Sequence, residues 1–547
     1  MGTLYYGDNL DILRRYLKDE TVGLVYLDPP FNSAQSYNAF FHEKDGTEAA
    51  SQIRAFEDTW HWDIHTKKAY AEITEQPGKV SDVMQAFYTF LGGNDMMAYH
   101  TMMAPRLVEL RRVLKPAGSL YLHCDPTASH YLKLLCDAVF GTDQFRNEIT
   151  WKRTFAHGNV GRNYGSIADV ILFYTKGEPY CWNQPYRQLS PEEMEEKYPF
   201  VDGEGRRWQS VTLRNPGQRP NLHFPFQASN GVTYQPHPNG WSCNLERMQK
   251  YDREGRLHFP SKPGGALRLK MFADESQGEK LQNIWEDIAP IGANAAERLG
   301  YPTQKPVALL ERIIKASSNP GDLVLDPFCG CGTTIDAAEK LGRRWIGIDI
   351  TQLATSLIKN RLRDTYGDKV EILTIGEPTT PNEAFVLAEQ DKFQFQWWAL
   401  GLVGARPVEQ KKGADHGIDG KILFRDDPRA PRPEQIIIQV KGGKTGVKDV
   451  RDLRGVIDRE NAAIGVLISL QPATAPMETE AASAEFYEHK LTRAKYPRLQ
   501  LRTVKELMEG KGIERPSSVA AVDETFKRAP KAEAKGHKQT ALGIYPD

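Results

Sequence analysis

The chain has 547 residues, of which 40% are hydrophobic, and its 70 Lys and Arg residues nearly balance 71 Asp and Glu residues. A chain of this length exceeds a single hydrophobic core, so we expect several domains. No stretch approaches the roughly 20 apolar residues that a membrane span needs, and the N-terminus lacks the apolar core of a signal peptide. These features argue against a membrane protein and predict a cytoplasmic one, with six scattered cysteines as reduced thiols.

An apolar run at residues 22–27 is followed directly by the motif Asp-Pro-Pro-Phe at residues 28–31. The run has the profile of a buried strand, and the two prolines end it because proline cannot donate to a sheet ladder. Strands in α/β folds present their carboxyl ends to the ligand crevice, which makes Asp28 a candidate site residue. A turn-forming aspartate, with Phe31 as core filler, is the alternative at this point.

Two more segments, 118–124 and 169–176, read as strands of the same sheet. Burial frequencies favour Phe173 and Tyr174 as core aromatics over pocket-lining residues, and His123 is likewise assigned to the core. The region from 180 to 295 then loses clear periodicity. Within it, residues 201–270 carry eleven Lys and Arg against five Asp and Glu, which makes this region a basic island on a neutral chain.

Residues 319–349 form a strand-loop-helix-strand pattern in which each strand ends in an acid, Asp326 or Asp349. Gly330 and Gly332 lack a Cβ where a ligand would approach the backbone, and the amides of the following helix favour a carboxylate or phosphate. Asp349 follows Asp326 at close to the roughly 20-residue offset at which an acid meets ribose hydroxyls. Because both acids and both strands are present, the pattern favours ligand binding over simple helix–strand packing.

The early motif "LDPPFN" and the late motifs "YPTQKP", "LVLDPFCGCGTT" and "WIGIDI" resemble those of S-adenosylmethionine-dependent DNA amino-methyltransferases. The order resembles the beta arrangement of that family, in which the catalytic motif precedes the cofactor motif, and it covers roughly residues 1–375. The resemblance implies an α/β fold, a Rossmann-like methyltransferase sheet with an inserted target-recognition domain. It also implies double-stranded DNA as partner, a nucleoid-associated location in a bacterial or phage-infected cell, and a homodimer as in many relatives.

The resemblance assigns cofactor-binding roles by motif position. An N-terminal acid would contact the adenine of S-adenosylmethionine, a later acid its ribose, and a glycine loop and a "TQK" segment its methionine part. The corresponding residues are Asp8 at the adenine, Asp349 at the ribose, Asp326, Phe328, Gly330 and Gly332 in the loop, and Thr303, Gln304 and Lys305 in the closing segment.

The catalytic tetrapeptide of the family corresponds to Asp28, Pro29, Pro30 and Phe31. Asp28 and the Pro29 carbonyl would accept the protons of an exocyclic amine, which frees its lone pair for attack on the sulfonium methyl, while Phe31 stacks on the flipped base. The prolines hold these acceptors still. In the family an initial Asp goes with adenine N6 more often than with cytosine N4, so we predict N6-methyladenine. Cytosine N4 and a non-DNA substrate are the alternatives.

The basic island occupies the position of the family's target-recognition domain. Lys and Arg suit phosphate contacts, and Arg, Asn and Gln suit base edges. Each cation is individually also explained as a solvated surface charge. The DNA contacts that we predict are Arg214, Arg219, Arg247 and Lys250.

The C-terminal third contains Asp419 before a predicted strand and the pattern Gln-x-Lys, Gln439 and Lys441, on the next. It resembles the restriction-endonuclease-like α/β fold in its Mrr-type branch, which implies Mg²⁺ held by Asp419 and Gln439 and a water oriented by Lys441. Mrr-like domains often add a glutamate on the preceding helix, where this chain has Gln394 and Gln396. A DNA-binding module without cleavage is therefore the alternative.

These motifs predict five segments and a linker at residues 376–384. The predicted function is restriction-modification in one chain, and the alternative is a modification-only methyltransferase whose C-terminal domain binds DNA or a partner. The segments are 1–179, the catalytic half; 180–295, target recognition; 296–375, the cofactor half; 385–510, the endonuclease-like domain; and 516–547, a disordered tail.

Overall fold

A computed structural model of the protein describes residues 2–30, 61–155, 162, 164–262, 264–301, 303–408, 417–427, 429–517 and 520–532. These residues form two compact units, one made of Met1–Asn183 with Asn283–Asp547 and the other of Gln184–Gln282. No helix within the described ranges is long and apolar enough to span a membrane.

The first part of the larger unit alternates strands with helices. Its elements are β1 (Gly2–Tyr6), α1 (Asn9–Tyr16), β2 (Val22–Leu27), α2 (Ile64–Glu75), α3 (Lys79–Leu91), α4 (Asp95–Val113), β3 (Leu114–Cys124), α5 (Pro126–Phe140), β4 (Phe145–Lys152) and β5 (Ala168–Thr175). All six residues of β2 are buried, as expected of a strand that is covered on both faces.

The smaller unit consists of short elements. They are β6 (Tyr186–Arg187), α6 (Pro191–Lys197), β7 (Phe200–Val201), β8 (Arg207–Thr212), β9 (Phe226–Gln227), β10 (Thr233–Tyr234), α7 (Leu245–Arg253), β11 (Leu257–His258), β12 (Arg268–Phe272) and β13 (Glu279–Lys280). A four-stranded sheet, β11-β12-β8-β7, is its largest regular element. A core that includes Trp241, Met248 and Leu267 gives this unit its own hydrophobic centre.

The chain then returns to the first sheet and completes it. The elements are β14 (Ile284–Trp285), α8 (Val307–Ser317), β15 (Leu323–Asp326), α9 (Thr333–Lys340), β16 (Arg344–Asp349), α10 (Gln352–Tyr366) and β17 (Ile372–Ile375). The nine strands lie in the order β14-β4-β5-β3-β2-β15-β16-β1-β17. The six strands from β3 to β17 pair in parallel, and β5 is antiparallel to both of its neighbours.

Helices cover both faces of this sheet, which is the architecture of a Rossmann-like α/β fold. One apolar cluster includes Leu13 of α1, Leu107 of α4 and Leu132 of α5. The other includes Leu310 of α8 and Ile358 of α10. The α/β methyltransferase-type fold that the motifs predicted is thereby confirmed.

The C-terminal region forms a second sheet within the larger unit. Its elements are α11 (Pro381–Gln390), α12 (Lys392–Leu402), β18 (Arg406–Pro407), β19 (Gly420–Arg425), β20 (Glu434–Lys441), α13 (Val447–Arg459), β21 (Ile464–Ser469), α14 (Ala475–Ala482), β22 (Phe486–Glu488), β23 (Lys495–Pro497), β24 (Leu499–Thr503), α15 (Val504–Met508) and β25 (Val522–Asp523). The main order is β18-β19-β20-β21-β24, and β25 pairs with β19.

Two expectations about this region differ from the structure. Helix α11 begins inside the predicted linker, because Thr380 caps it and Pro381 suits the first helical position. The tail predicted to be disordered from residue 516 is ordered through the described residues 520–532. Its strand β25 joins the sheet, and beyond it the Ala529 amide donates to Asp364 Oδ2 at 3.2 Å. Residues 533–547 lie outside the described ranges.

Candidate active site

Four acidic residues lie at one edge of the nine-stranded sheet. Asp28 and Asp8 follow β2 and β1, while Asp326 and Asp349 end β15 and β16. These four strands are adjacent and parallel, so their carboxyl ends meet at the same edge. The sequence motifs at residues 8, 28, 326 and 349 are therefore parts of one candidate site.

Asp28 is held in an ion pair with Lys305. The Lys305 Nζ lies 2.5 Å from Asp28 Oδ2, and the side chains of the lysine and the acid are only 12% and 15% exposed. Pro29 is buried, whereas Phe31 lies outside the described residues. The structure thus joins a residue predicted for the cofactor segment to the predicted catalytic acid.

The other two residues of the "TQK" segment do not reach the acids in the same way. Thr303 is exposed. The Gln304 side chain braces its own loop, because its Oε1 accepts from the Leu299 amide at 2.8 Å and its Nε2 donates to the Glu297 carbonyl. These contacts hold the turn that brings Lys305 to the strand edge.

Asp326 is almost fully buried at 3% exposure. Burial raises its pKa to about 7, and the charges of Asp28 and Asp349 add to that effect against hydrogen bonds from Thr334 and the Phe328 amide. A positively charged ligand close to Asp326 would favour the ionised form of this carboxyl.

Asp349 fixes the glycine loop from the neighbouring strand. Its Oδ2 accepts from the Gly330 amide at 2.9 Å, and its Oδ1 accepts from the amide and the hydroxyl of Thr351. Burial raises the pKa of this acid to about 6. The Ile350 backbone amide adds a further hydrogen bond to this carboxylate.

The glycine loop takes a backbone conformation that side chains disfavour. Gly330 and Gly332 have φ values of +48° and +77°, in the left-handed region. A Cβ on Gly330 would lie 3.1 Å from the Tyr301 ring, and one on Gly332 would lie 2.6 Å from Ile358. Phe328 packs partly buried against the apolar core beside the loop. The two glycines thus allow the loop backbone to pass close to Tyr301 and Ile358.

Asp8 has a structural role in addition to the one predicted for it. Its Oδ1 caps α1 by accepting from the Leu10 and Asp11 amides, and its Oδ2 lies 2.7 Å from Arg106 Nη2. The Asp8 side chain is nevertheless 43% exposed. The cap and the arginine hold this acid at the end of β1, where the adenine contact stays a prediction.

A buried polar chain behind Asp28 was missed by the sequence interpretation. The Tyr26 hydroxyl lies 2.9 Å from His123 Nδ1, and His123 Nε2 lies 3.0 Å from Asp169 Oδ2. Burial alone would raise the pKa of Asp169, but the His123 hydrogen bond and the charges of Lys305 and Arg153 lower it. Its members stand on three different strands, β2, β3 and β5, so no local pattern in the sequence signals it.

The candidate nuclease residues lie immediately before β19 and on β20. Asp419 precedes β19, and its Oδ2 accepts from the Val440 amide at 2.7 Å. Gln439 is buried and donates from Nε2 to the Gly417 carbonyl, and Lys441 lies two residues further along the same strand. The pairing register thus brings Asp419 opposite Gln439, since Gly420 pairs with Ile438.

Asp419 is the one carboxylate among the three candidate nuclease residues, which also include Gln439 and Lys441. Within the described residues, no group of three or more His, Cys, Asp or Glu side chains is placed to hold a metal ion. Gln394, which stands near the expected position of a glutamate, accepts from the Tyr6 hydroxyl at 2.7 Å instead. Asp419 could supply one carboxylate to Mg²⁺, which commonly takes one or two and fills its shell with water.

Family models match two parts of the chain. A model described as DNA methylase matches residues 22–360, more than half of the chain. The chain belongs to the DNA methylase family. A model described as restriction endonuclease matches residues 398–492, so this DNA methylase carries an endonuclease-like C-terminal region.

Individual relatives are similar over the methylase part. Type II methyltransferase M.EcaI of Enterobacter cloacae is 33% identical over 276 residues, which are 50% of this chain and 60% of that protein. The Mod subunit of the Type III restriction-modification enzyme StyLTI of Salmonella typhimurium is 28% identical over 353 residues, 61% of this chain and 49% of that protein. The chain thus spans about half to three-fifths of the length of these relatives.

Two solved structures are similar at low identity. The M1.HpyAVI–SAM complex is 14% identical with a TM-score of 0.30, covering 66% of this chain and 98% of that one. PvuII DNA methyltransferase (cytosine-N4-specific) is 13% identical with a TM-score of 0.30, covering 65% and 85%.

The predicted DNA contacts of the methylase lie on the surface of the smaller unit. Arg214 and Arg219 are exposed on a loop that pairs with residues 239–241, and Arg247 and Lys250 are exposed on α7. Lys250 lies 3.9 Å from Glu254. Within the described residues Arg214, Arg219 and Arg247 form no ion pair, whereas other cations of the island do: Arg206, Arg207 and Arg256.

Proposed function

We propose that the chain transfers a methyl group from S-adenosylmethionine to adenine N6 in double-stranded DNA. The observation that carries this proposal is the ion pair between Asp28 and Lys305 at the sheet edge that also bears Asp326 and Asp349. A catalytic acceptor beside a pair of buried acids offers separate places for the amine and for a cationic cofactor. The match of residues 22–360 to the DNA methylase model supports DNA as the substrate.

The buried acids fit the cofactor. S-adenosylmethionine carries positive charge on its sulfur and its amino group, and it supplies an activated methyl group when bound. Asp326 and the glycine loop would hold the methionine part, while Asp349 would receive a ribose hydroxyl. The positive charges of the cofactor would offset the energetic cost of keeping the buried Asp326 and Asp349 carboxylates ionised.

Asp28 and Pro29 would act on the amine. An aromatic amine is a poor nucleophile because its lone pair is delocalised into the ring. Accepting both amine protons at the Asp28 carboxylate and the Pro29 carbonyl would draw the nitrogen toward tetrahedral geometry and expose the lone pair. Lys305 would hold the Asp28 carboxylate in place through this ion pair.

The smaller unit would supply target recognition. Arg214, Arg219 and Arg247 are exposed without an acidic partner in the described structure, so their charge is available for phosphates. Neutralising these three residues together with Lys250 should sharply lower DNA affinity and its salt dependence. Binding that kept the wild-type salt dependence would contradict this role. A homodimer in solution is a further expectation, which light scattering tests.

The decisive experiment is mass spectrometry of nucleosides from DNA incubated with the purified protein and S-adenosylmethionine. N6-methyladenine is expected, and Asp28→Ala, which removes the acceptor, should abolish it. The Asp252→Ala variant is a matched control, because that acid lies in the smaller unit and contacts Ser229. N4-methylcytosine instead would move the substrate to cytosine, and no methylated base in DNA would refute the proposal.

Mg²⁺-dependent DNA cleavage is a second candidate function. It is favoured by the cross-strand placement of Asp419 and Gln439 with Lys441 two residues further on, and by the match to the restriction endonuclease model. Purified protein should cut unmethylated DNA and spare premethylated DNA when Mg²⁺ is present, and Lys441→Ala should lose the cutting. A protein that methylates DNA yet leaves both substrates intact would favour a C-terminal region that only binds.

A further inference from the structure

The endonuclease-like region packs directly against the helix that lies behind the glycine loop. Trp397 of α12 and Phe526 of the tail pack on an apolar cluster formed by Tyr301, Cys331 and two leucines of α10, Leu353 and Leu357. Cys331 lies between the two loop glycines, and Tyr301 faces Gly330. Side chains from the C-terminal region thus reach the second layer of residues around the candidate cofactor site.

A glycine in α12 permits this close approach. The Cβ of any other residue at Gly401 would lie 3.2 Å from Ser356 Oγ and 3.7 Å from Gln352 Nε2, both on α10. Gly455, in the middle of α13, has open space at the same position. The two helical glycines therefore form a matched pair, one at the contact and one away from it.

A polar contact joins the same helix to β1. The Tyr6 hydroxyl donates to Gln394 Oε1 at 2.7 Å, and Tyr6 is the last residue of β1, two residues before Asp8. Burial and the charges of Asp391, Glu377 and Asp349 raise the pKa of Tyr6 above its ordinary value. The hydroxyl therefore stays a donor, and it feels the charges of both an acid of the C-terminal region and the proposed ribose acid.

Helix α10 also contacts the glycine loop directly, through Arg361 and Ile358. Arg361, which is 3% exposed, donates to the Cys331 carbonyl at 3.3 Å and to Thr333 Oγ1 at 3.2 Å. Its charge is balanced by Asp336, 2.9 Å away. Ile358 fills the space that a Cβ on Gly332 would occupy. A shift of α10 would therefore move the loop.

We propose that the C-terminal region is a positioning element of the cofactor site, in which α12 and the tail hold α10, Tyr301 and the end of β1 in the arrangement that binds S-adenosylmethionine. This inference rests on the proposed function. Docking of the C-terminal region and cofactor binding should then favour one another, since coupling between two binding events is reciprocal.

The first test compares Gly401→Leu with Gly455→Leu in the full-length chain. Isothermal titration with S-adenosylmethionine, in the absence of DNA, should give a dissociation constant raised about tenfold by Gly401→Leu, within the usual range of coupled sites, and left within twofold of wild type by Gly455→Leu. DNA affinity measured without cofactor should be the same for both variants. Equal cofactor affinity in the two folded variants would overturn the inference.

A double-mutant cycle gives a second test that conserves the fold. Tyr6→Phe and Gln394→Met each remove one side of the same hydrogen bond and keep most of the side chain. If the contact positions β1, each variant should weaken S-adenosylmethionine binding several-fold, and the double variant should be no weaker than the worse single one. Independent, multiplying effects or none would overturn the inference. A wild-type chain that binds no S-adenosylmethionine would instead refute the proposed function itself.

Discussion

The pH dependence of cofactor binding should report the two buried acids of the site. Burial raises the pKa of Asp326 to about 7 and that of Asp349 to about 6, so both are partly protonated in the free protein near neutral pH. A bound S-adenosylmethionine would favour their ionised forms, so binding releases protons. A state that holds fewer protons is favoured as pH rises, and affinity should therefore increase from pH 6 to pH 8.

The size of this effect follows from the two pKa values. If the bound state keeps both acids ionised, lowering the pH from 8 to 6 should weaken binding about tenfold through Asp326 and about twofold through Asp349. The combined change is about twentyfold, or ~1.8 kcal/mol. At pH 6.5 the binding of one cofactor should release about one proton.

Isothermal titration across this pH range measures the affinity, and titrations in two buffers of different ionisation enthalpy measure the proton release. Asp326→Asn should remove the tenfold component and leave the smaller one. The difference between the two curves isolates the protein acid from any titration of the cofactor. A flat affinity in the wild type, or the same slope in Asp326→Asn, would show that Asp326 does not release a proton when the cofactor binds.

Four further substitutions test the glycine loop, a buried histidine and the Lys305–Asp28 ion pair. Gly332→Ala and Gly342→Ala share the roughly 1–2 kcal/mol cost of a left-handed residue, but only the first meets a neighbouring side chain, so it should lower the melting temperature further. His100 is buried and its pKa is lowered to about 3, so the unfolded state gains a proton first as pH falls below 6.5; His100→Phe should abolish a loss of about 2 kcal/mol between pH 7 and pH 5 in denaturant titrations. Lys305→Met should slow single-turnover methyl transfer roughly 10- to 100-fold, the value of a charged hydrogen bond of about 1.5–3 kcal/mol at Asp28, and an unchanged rate would contradict the role of that lysine.

The strand-end acids Asp28, Asp326 and Asp349 were predictable because each follows a short apolar run with the profile of a buried strand. The prolines after Asp28 mark the end of the first strand. The glycine loop after Asp326 marks the end of the second. Parallel pairing then brings those ends together, which requires no knowledge of side-chain contacts. This is why the fold class and the acid edge follow from sequence pattern.

The contacts made by these acids were not predictable in the same way. Lys305 meets Asp28 across 277 positions of the chain, and no periodicity connects them. The Tyr26–His123–Asp169 chain joins three strands whose relative register is fixed only in the folded sheet. Sequence motifs therefore specify which residues reach the site, whereas the three-dimensional pairing decides which residue holds which.

Residues 520–532 of the predicted disordered tail differ from that prediction for a related reason. Its composition is polar, and polar segments with few apolar residues seldom bury enough surface to order themselves. Here Phe526 packs on the cluster around Cys331, and β25 extends a sheet that already exists. The ordering of the tail thus depends on two surfaces formed by earlier parts of the chain, which its own composition does not reveal.

Charge repulsion accounts for the glutamine that α12 carries at the position where Mrr-like domains often carry a glutamate. Gln394 faces the Tyr6 hydroxyl, and that hydroxyl already lies among the charges of Asp391, Glu377 and Asp349. A carboxylate at position 394 would add a fourth negative charge to this group, next to the acid proposed to bind the ribose. A neutral amide accepts the same hydrogen bond without that repulsion. Under the proposal that β1 helps to position the cofactor site, the methylase half disfavours the further carboxylate that a metal site would use at this helix.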